Sequence, residues 1–295
     1  MKDFEIISDG ACDLADETIS KLGIRVIPFY VAYDEQNYLR EKVDFGVQEF
    51  YQKLVDNPGV FPKTSMPTAE DYLQEFQRAY EAGHDILCIT ISKKFSGSLN
   101  SALMARDMFL DEHSDARVEV LDSTMLSCSQ GLLVREIVRM KENGLSLDEV
   151  LHYANEIKET GRCYFTINGL SYLQHGGRIG KLTSIVGNIF KVAPLIIAKE
   201  GEIQSGGIAL SRKRAIMKIF DKFMAIIQKY KLNLDNYLIE VGYGYSFEEG
   251  QELANKFEEI FHKKIELFDQ IGATISVHTG PYPIGIAFIR KYDAK

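Results

Sequence analysis

Two periods of apolar residues run along this chain. Short dense runs, such as Ile86-Leu87-Cys88-Ile89-Thr90-Ile91, predict strands buried on both faces. Between such runs apolar residues recur at helical spacing, as Leu99, Ala102, Leu103, Phe109 and Leu110 do. Strands are predicted over 4–8, 25–33, 86–92 and 117–121, and Pro28 makes the second an edge or irregular strand. Helices are predicted over 45–55, 126–142 and 147–159, with others ending near Leu22 and Ala82 and one opening at Ser98-Leu99. Asp13 is placed to cap the first helix. Thr68 with Asp71, and Ser146 with Glu149, have capping-box spacing. Residues 57–68 form a loop stiffened by Pro58, Pro62 and Pro67.

Strands alternating with helices over about the first 160 residues imply right-handed crossovers and a mostly parallel sheet. The pattern then changes. A strand over 162–168 leads to the segment Leu170 to Gly180. A hairpin over 194–211 turns at Glu200-Gly201-Glu202. A long helix (212–229), a strand (237–241), a helix (247–262) and a strand (264–268) follow. Two closing apolar runs, 273–277 and 284–289, flank His278-Thr279-Gly280-Pro281-Tyr282-Pro283. The expected fold is α/β in two domains: a mostly parallel α/β/α domain over 1–161 and a mixed-sheet α/β domain over 162–295.

Composition narrows the function. Of 295 residues 45% are hydrophobic, enough for a substantial core, and the net charge is -8. That charge argues against a nucleic-acid binder or an anionic-membrane binder, since both need a basic footprint. Cys12, Cys88, Cys128 and Cys163 form no CxxC pair and fit a reducing compartment; Cys88 and Cys163 sit in apolar runs as core thiols. Met1-Lys2-Asp3-Phe4-Glu5 lacks the apolar run of a signal peptide, and no apolar stretch approaches membrane-span length. A cytoplasmic protein is expected, with room for transient membrane contact.

The sequence contains no GxxxxGK[ST] phosphate loop, no HExxH and no GxSxG elbow, and Gly242-Tyr243-Gly244 lacks the third glycine of a dinucleotide fingerprint. The six histidines show no metal-ligand spacing, and His113, His152 and His262 lie on polar helical stretches as solvated side chains. What remains is a set of polar groups at turns: Thr64, Ser65, Ser96, Ser98, Asp122, Ser123, Gly176-Gly177-Arg178 and His278. Ser96-Gly97-Ser98 directly follows a strand and opens a helix. In an open α/β sheet that is where ligands bind, and a helix N-terminus there offers free N–H groups to an anion. Two readings stay open for it: Ser98 caps the helix, or the turn holds a carboxylate or phosphate.

As an ordered set these stretches resemble the DegV family, whose studied members are bacterial fatty-acid-binding proteins. The similarity runs nearly end to end. Its marks are Ser8-Asp9 with Asp13-Leu14, Thr64-Ser65-Met66-Pro67-Thr68, Ser96-Gly97-Ser98 with Ser101-Ala102, and Asp122-Ser123. Further marks are Leu173 to Gly180 with Gly-Gly-Arg-Ile, Pro194 before an apolar run with Gly201, and His278-Thr279-Gly280-Pro281.

The resemblance implies one long-chain fatty acid between two domains. Thr64 and Ser96 would bind its carboxylate, with Ser65, Gly97, Arg178 and His278 beside it. It implies no cofactor, no metal and no catalytic residue, and a separate ATP-dependent fatty acid kinase as partner. Met66 departs from the family's frequent glutamine, and Tyr282 from its frequent glycine. The apolar run Ile185, Val186, Ile189, Phe190, Val192, Leu195, Ile196, Ile197 either lines an acyl tunnel or is ordinary core. Two other functions compete: an acyl hydrolase with Ser96 as nucleophile and His278 as base, and an interaction domain with an incidental cavity.

Overall fold

The computed structural model describes residues 3–34, 36–182, 193–265 and 267–294. Its first sheet has the strand order β2-β1-β6-β7, all parallel, from β1 (Phe4–Asp9), β2 (Arg25–Ile27), β6 (Asp85–Thr90) and β7 (Val118–Asp122). The dense apolar run becomes β6, a central strand whose Ile86, Leu87, Cys88 and Ile89 are all buried. The expected strand over 25–33 is two strands. Pro28 ends edge strand β2, and the chain leaves for β3 (Tyr30–Ala32) in a small antiparallel sheet with β4 (Leu39–Arg40) and β5 (Lys63–Ser65). The proline-rich loop therefore contains a strand, paired through Val31 and Thr64.

The second sheet, β10-β9-β8-β13-β11-β12, is mixed. It is built from β8 (Arg162–Thr166), β9 (Ala193–Lys199), β10 (Glu202–Ala209), β11 (Tyr237–Tyr243), β12 (Leu267–Gln270) and β13 (Ile284–Arg290). The hairpin forms as expected. Lys199 pairs with Glu202 across a turn in which Glu200 and Gly201 both have positive φ, the twist that tight hairpins require.

Helices fill the space in layers. The buried cores of α3 (Ala69–Glu81) and α4 (Ser98–Glu112) cover one face of the first sheet. Those of α8 (Arg212–Tyr230) and α9 (Phe247–Phe261) cover one face of the second. Between the sheets lie α5 (Ser127–Glu142) and α6 (Leu147–Ile157), in one core with Leu87 and Ile89 on one side and Phe165, Ala287 and Ile289 on the other. α5 is buried along nearly its whole length, and its buried Gln130 and Glu136 are hydrogen-bonded, to Asp9 and Arg139. Two capping boxes form as expected, at Thr68/Asp71 and Ser146/Glu149. Asp13 does not cap α1 (Asp16–Leu22). It is buried with a left-handed backbone and accepts a 2.5 Å hydrogen bond from Ser127 Oγ. Of the two closing runs, the first is a helix, α10 (Ala273–Thr279), and the second is β13.

Candidate functional site

The loops at the carboxyl ends of the first sheet, β5, α10 and the turn after α7 (Ser171–His175) enclose a cavity of about 280 Å³. Thr64, Ser65, Ser96, Gly97, Arg178 and His278 all line it. Four distant segments thus converge. Thr64 comes from β5, because the chain crossed to the small sheet after Pro28. Ser96 and Gly97 form the β6–α4 turn, Arg178 follows the Gly176-Gly177 turn, and His278 lies in the last turn of α10.

Thr64 Oγ1 and His278 Nε2 are 3.0 Å apart and hydrogen-bonded. Burial, with the Arg178 charge as a second cause, pushes the His278 pKa down to about 4, so the ring is neutral at pH 7. His278 Nδ1 is buried without a partner. It lies against Gly176, where a Cβ would fall 2.1 Å from it; only glycine lets the ring stand there. Arg178 Nη1 donates to Gly176 O (2.7 Å), and its Nε donates to Phe95 O (3.1 Å). One guanidinium therefore pins its own turn to the Ser96 turn. Ser96 Oγ accepts the Ser98 N–H at 3.2 Å.

The other polar turns are structural. Ser98 neither caps α4 nor lines the cavity. Its hydroxyl, fully buried, donates to Asp9 Oδ2 (2.6 Å) and pairs with Tyr72 Oη (2.6 Å). Asp9 is a buried hub that sequence reasoning missed. It also accepts from Ile91 N, Gln130 Nε2 and Ala11 N, while burial pushes its pKa up. Its position at the carboxyl end of β1, just before Gly10, was the signal available. Asp122 and Ser123 bind the backbone of their own turn. His113 is half-buried between the rings of Tyr80 and Phe109, not solvated. All four cysteines are free and buried.

Phe29, Ile91, Leu126, Phe165, Ile203 and Ile275 supply most of the cavity's apolar wall. The cavity adjoins a smaller chamber of about 30 Å³ and shares Leu126, Phe165, Ile275 and Thr279 with it; the chamber ends among Cys128, Cys163 and Ala287. The cavity also adjoins an outer vestibule of about 620 Å³, with Lys93, Lys94, Arg178 and Lys181 around Glu202. Lys94 and Lys181 pair with Glu202. Chamber and vestibule share no residue with each other.

Of the proposed tunnel run, Ile185 to Val192 lie outside the described residues. Leu195 and Ile196 are buried strand residues of β9, and none of Leu195, Ile196 and Ile197 lines the cavity. Met66 lines the cavity. Tyr282 does not, and packs against the Tyr245 ring and under Arg212 instead.

Behind the site, Glu41 caps α10. Its carboxylate accepts from Ala273 N (2.6 Å), Thr274 N (2.9 Å) and Thr274 Oγ1 (2.5 Å). Tyr51 Oη adds bonds to Ile271 O and Ser276 Oγ. Burial and the neighbouring Glu41 charge push Asp13 up to about 8. Among the described residues no group of three or more His, Cys, Asp or Glu could hold a metal ion, and no helix is long and apolar enough to cross a membrane.

A model of the family described as "Uncharacterised protein, DegV family" matches residues 3–291. A stearic acid-binding protein from Eubacterium ventriosum is 39% identical, with a TM-score of 0.95 over 99% of this chain and 100% of that one. A fatty-acid-binding DegV family protein from Thermus thermophilus is 27% identical, with a TM-score of 0.86 over 98% and 100%. The Streptococcus pneumoniae fatty acid kinase B3 protein, loaded with linoleic acid, shares the fold at 20% identity, with a TM-score of 0.79 over 99% and 100%.

Proposed function

This chain belongs to the DegV family, and we propose on that premise that it encloses one long-chain fatty acid and presents the carboxylate to a separate ATP-dependent kinase. The carboxylate sits at Thr64 and Ser96, with Ser65, Gly97, Arg178 and His278 around it. The acyl chain runs over Phe165 and Ile275 towards the small chamber. The observation that carries this reading is the polarity of the cavity, apolar towards the chamber and polar where it meets the vestibule. The stearic acid-binding protein at 39% identity supports the same ligand class. A C16 chain buried at about 0.8 kcal/mol per CH₂ contributes roughly 12 kcal/mol gross. The hydroxyls then orient the head group rather than supply most of the affinity.

The kinase partner is supported by the vestibule, whose lysines and Arg178 suit a phosphate arriving at the carboxylate, and by the name of the B3 fold relative. A serine hydrolase fits less well. His278 Nε2 pairs with Thr64 rather than Ser96, and Nδ1 has no carboxylate to orient it. The test combines loaded protein, a cognate fatty acid kinase and ATP. Acyl phosphate is expected only with all three. ATP consumption by this protein alone, or labelling of Ser96 by a serine-reactive probe, contradicts the carrier reading.

A further inference from the structure

Met66 follows β5 and reaches across to the β6–α4 turn. A Cβ at Gly97 would fall 2.6 Å from Met66 Sδ and 3.1 Å from its methyl. The thioether thus lies in the space that Gly97 leaves by having no side chain. Gly97 has φ -76, a backbone any residue adopts, so the glycine serves this close approach and not a special turn. Met66 is 41% exposed and yet lines the cavity, which puts one flank in solvent and the other inside. Phe95, Ser96, Gly97, Arg178 and Ile203 line both cavity and vestibule, whereas Met66 lines the cavity alone. It stands on the small-sheet side of the cavity, against Gly97, which belongs to the rim shared with the vestibule.

We propose that Met66 is the seal of this mouth and sets the rate at which a bound acid leaves. This rests on the reading that a fatty acid fills the cavity. A methionine suits the task because it is unbranched, with three rotatable bonds and a polarisable sulfur. It packs onto Gly97 when closed and swings aside without backbone movement. While closed it keeps water from the head group, which strengthens the hydrogen bonds inside.

The test is stopped-flow transfer of stearate from the loaded protein to albumin, with association measured in the reverse direction. In Met66→Ala, release and association should both rise, by about tenfold, so the Kd changes less than either rate. A residue that merely contacts the ligand would raise release alone. Gly97→Ala pushes the sulfur out and should also speed release. The double variant should be no faster than Met66→Ala by itself, and Met66→Leu should recover most of the slow release. Parent-like rates in a Met66→Ala protein that still binds stearate overturn the seal and leave the ligand assignment standing. A parent that binds no stearate overturns both.

Discussion

Thr64 has two jobs at once: it faces the cavity and holds His278 Nε2. On the proposed reading, removing its hydroxyl takes away a hydrogen bond to the carboxylate, worth roughly 1.5–3 kcal/mol, and frees the ring as well. Thr64→Ala and Ser96→Ala should therefore weaken stearate binding about tenfold to a hundredfold by calorimetry; parent-like affinity in both would remove the head-group site. His278 makes stability depend on pH. Its folded pKa is about 4, against an ordinary value near 6.5. As pH falls through that window the unfolded chain takes up a proton that the folded one refuses. Stability is then lost progressively, on the order of 3 kcal/mol in full. A His278→Gln variant should lose less between pH 7 and 4 in denaturant melts, and an unchanged slope would contradict the buried neutral ring. Residue types at this site were legible because hydroxyls at strand ends and a Gly-Gly-Arg turn have recognisable chemistry. That four such stretches form one site was legible only from their order as a family set. Asp9 and Glu41 were not legible as hubs, since a lone acid beside a turn looks like a cap.

Among the elements, α10 is the one that carries His278 into the cavity, and it has only seven residues. Its run of Thr, Ile, Ser and Val has poor intrinsic helix propensity. Tertiary groups compensate: Glu41 caps its start and Tyr51 holds its first turn. This explains why the pattern over 273–277 did not declare a helix, as its decisive partner lies more than two hundred residues away. Glu41→Ala should lower stability by about 1–2 kcal/mol and weaken stearate binding through a displaced His278. Glu41→Gln should do less of both. Equal head-group binding in all three proteins would show that α10 is held otherwise. The long helices and the 200–201 hairpin were legible because their periodicity and turn residues are local. The strand β5 was hidden among prolines, and its pairing with Val31 depends on the chain changing sheets at Pro28.

Across the whole molecule, two sheets share one helical layer, and the cavity lies where the first sheet's carboxyl-end loops meet α10 and the second sheet. Polar ties brace the two sides: Arg135 to Asp269 (2.7 Å), Arg139 to Asp293 (2.7 Å) and Ser92 Oγ to Gly201 O (3.0 Å). The alternation of strands and helices made the α/β class and the mostly parallel first sheet legible. The shared layer was not, because an apolar helix pattern does not say which sheets cover it. The cavity's apolar wall was equally hidden, for Phe165 and Ile275 are indistinguishable in sequence from ordinary core. On the proposed reading this cavity holds a fatty acid by both ends, the chain in the apolar interior and the carboxylate at the mouth. Titration calorimetry of delipidated protein with stearate and with octadecanol probes both ends at once. Saturable one-to-one binding of stearate is expected, with octadecanol at least about tenfold weaker because it brings no charge to Thr64 and Ser96. No stearate binding, or equal affinity for acid and alcohol, would contradict it.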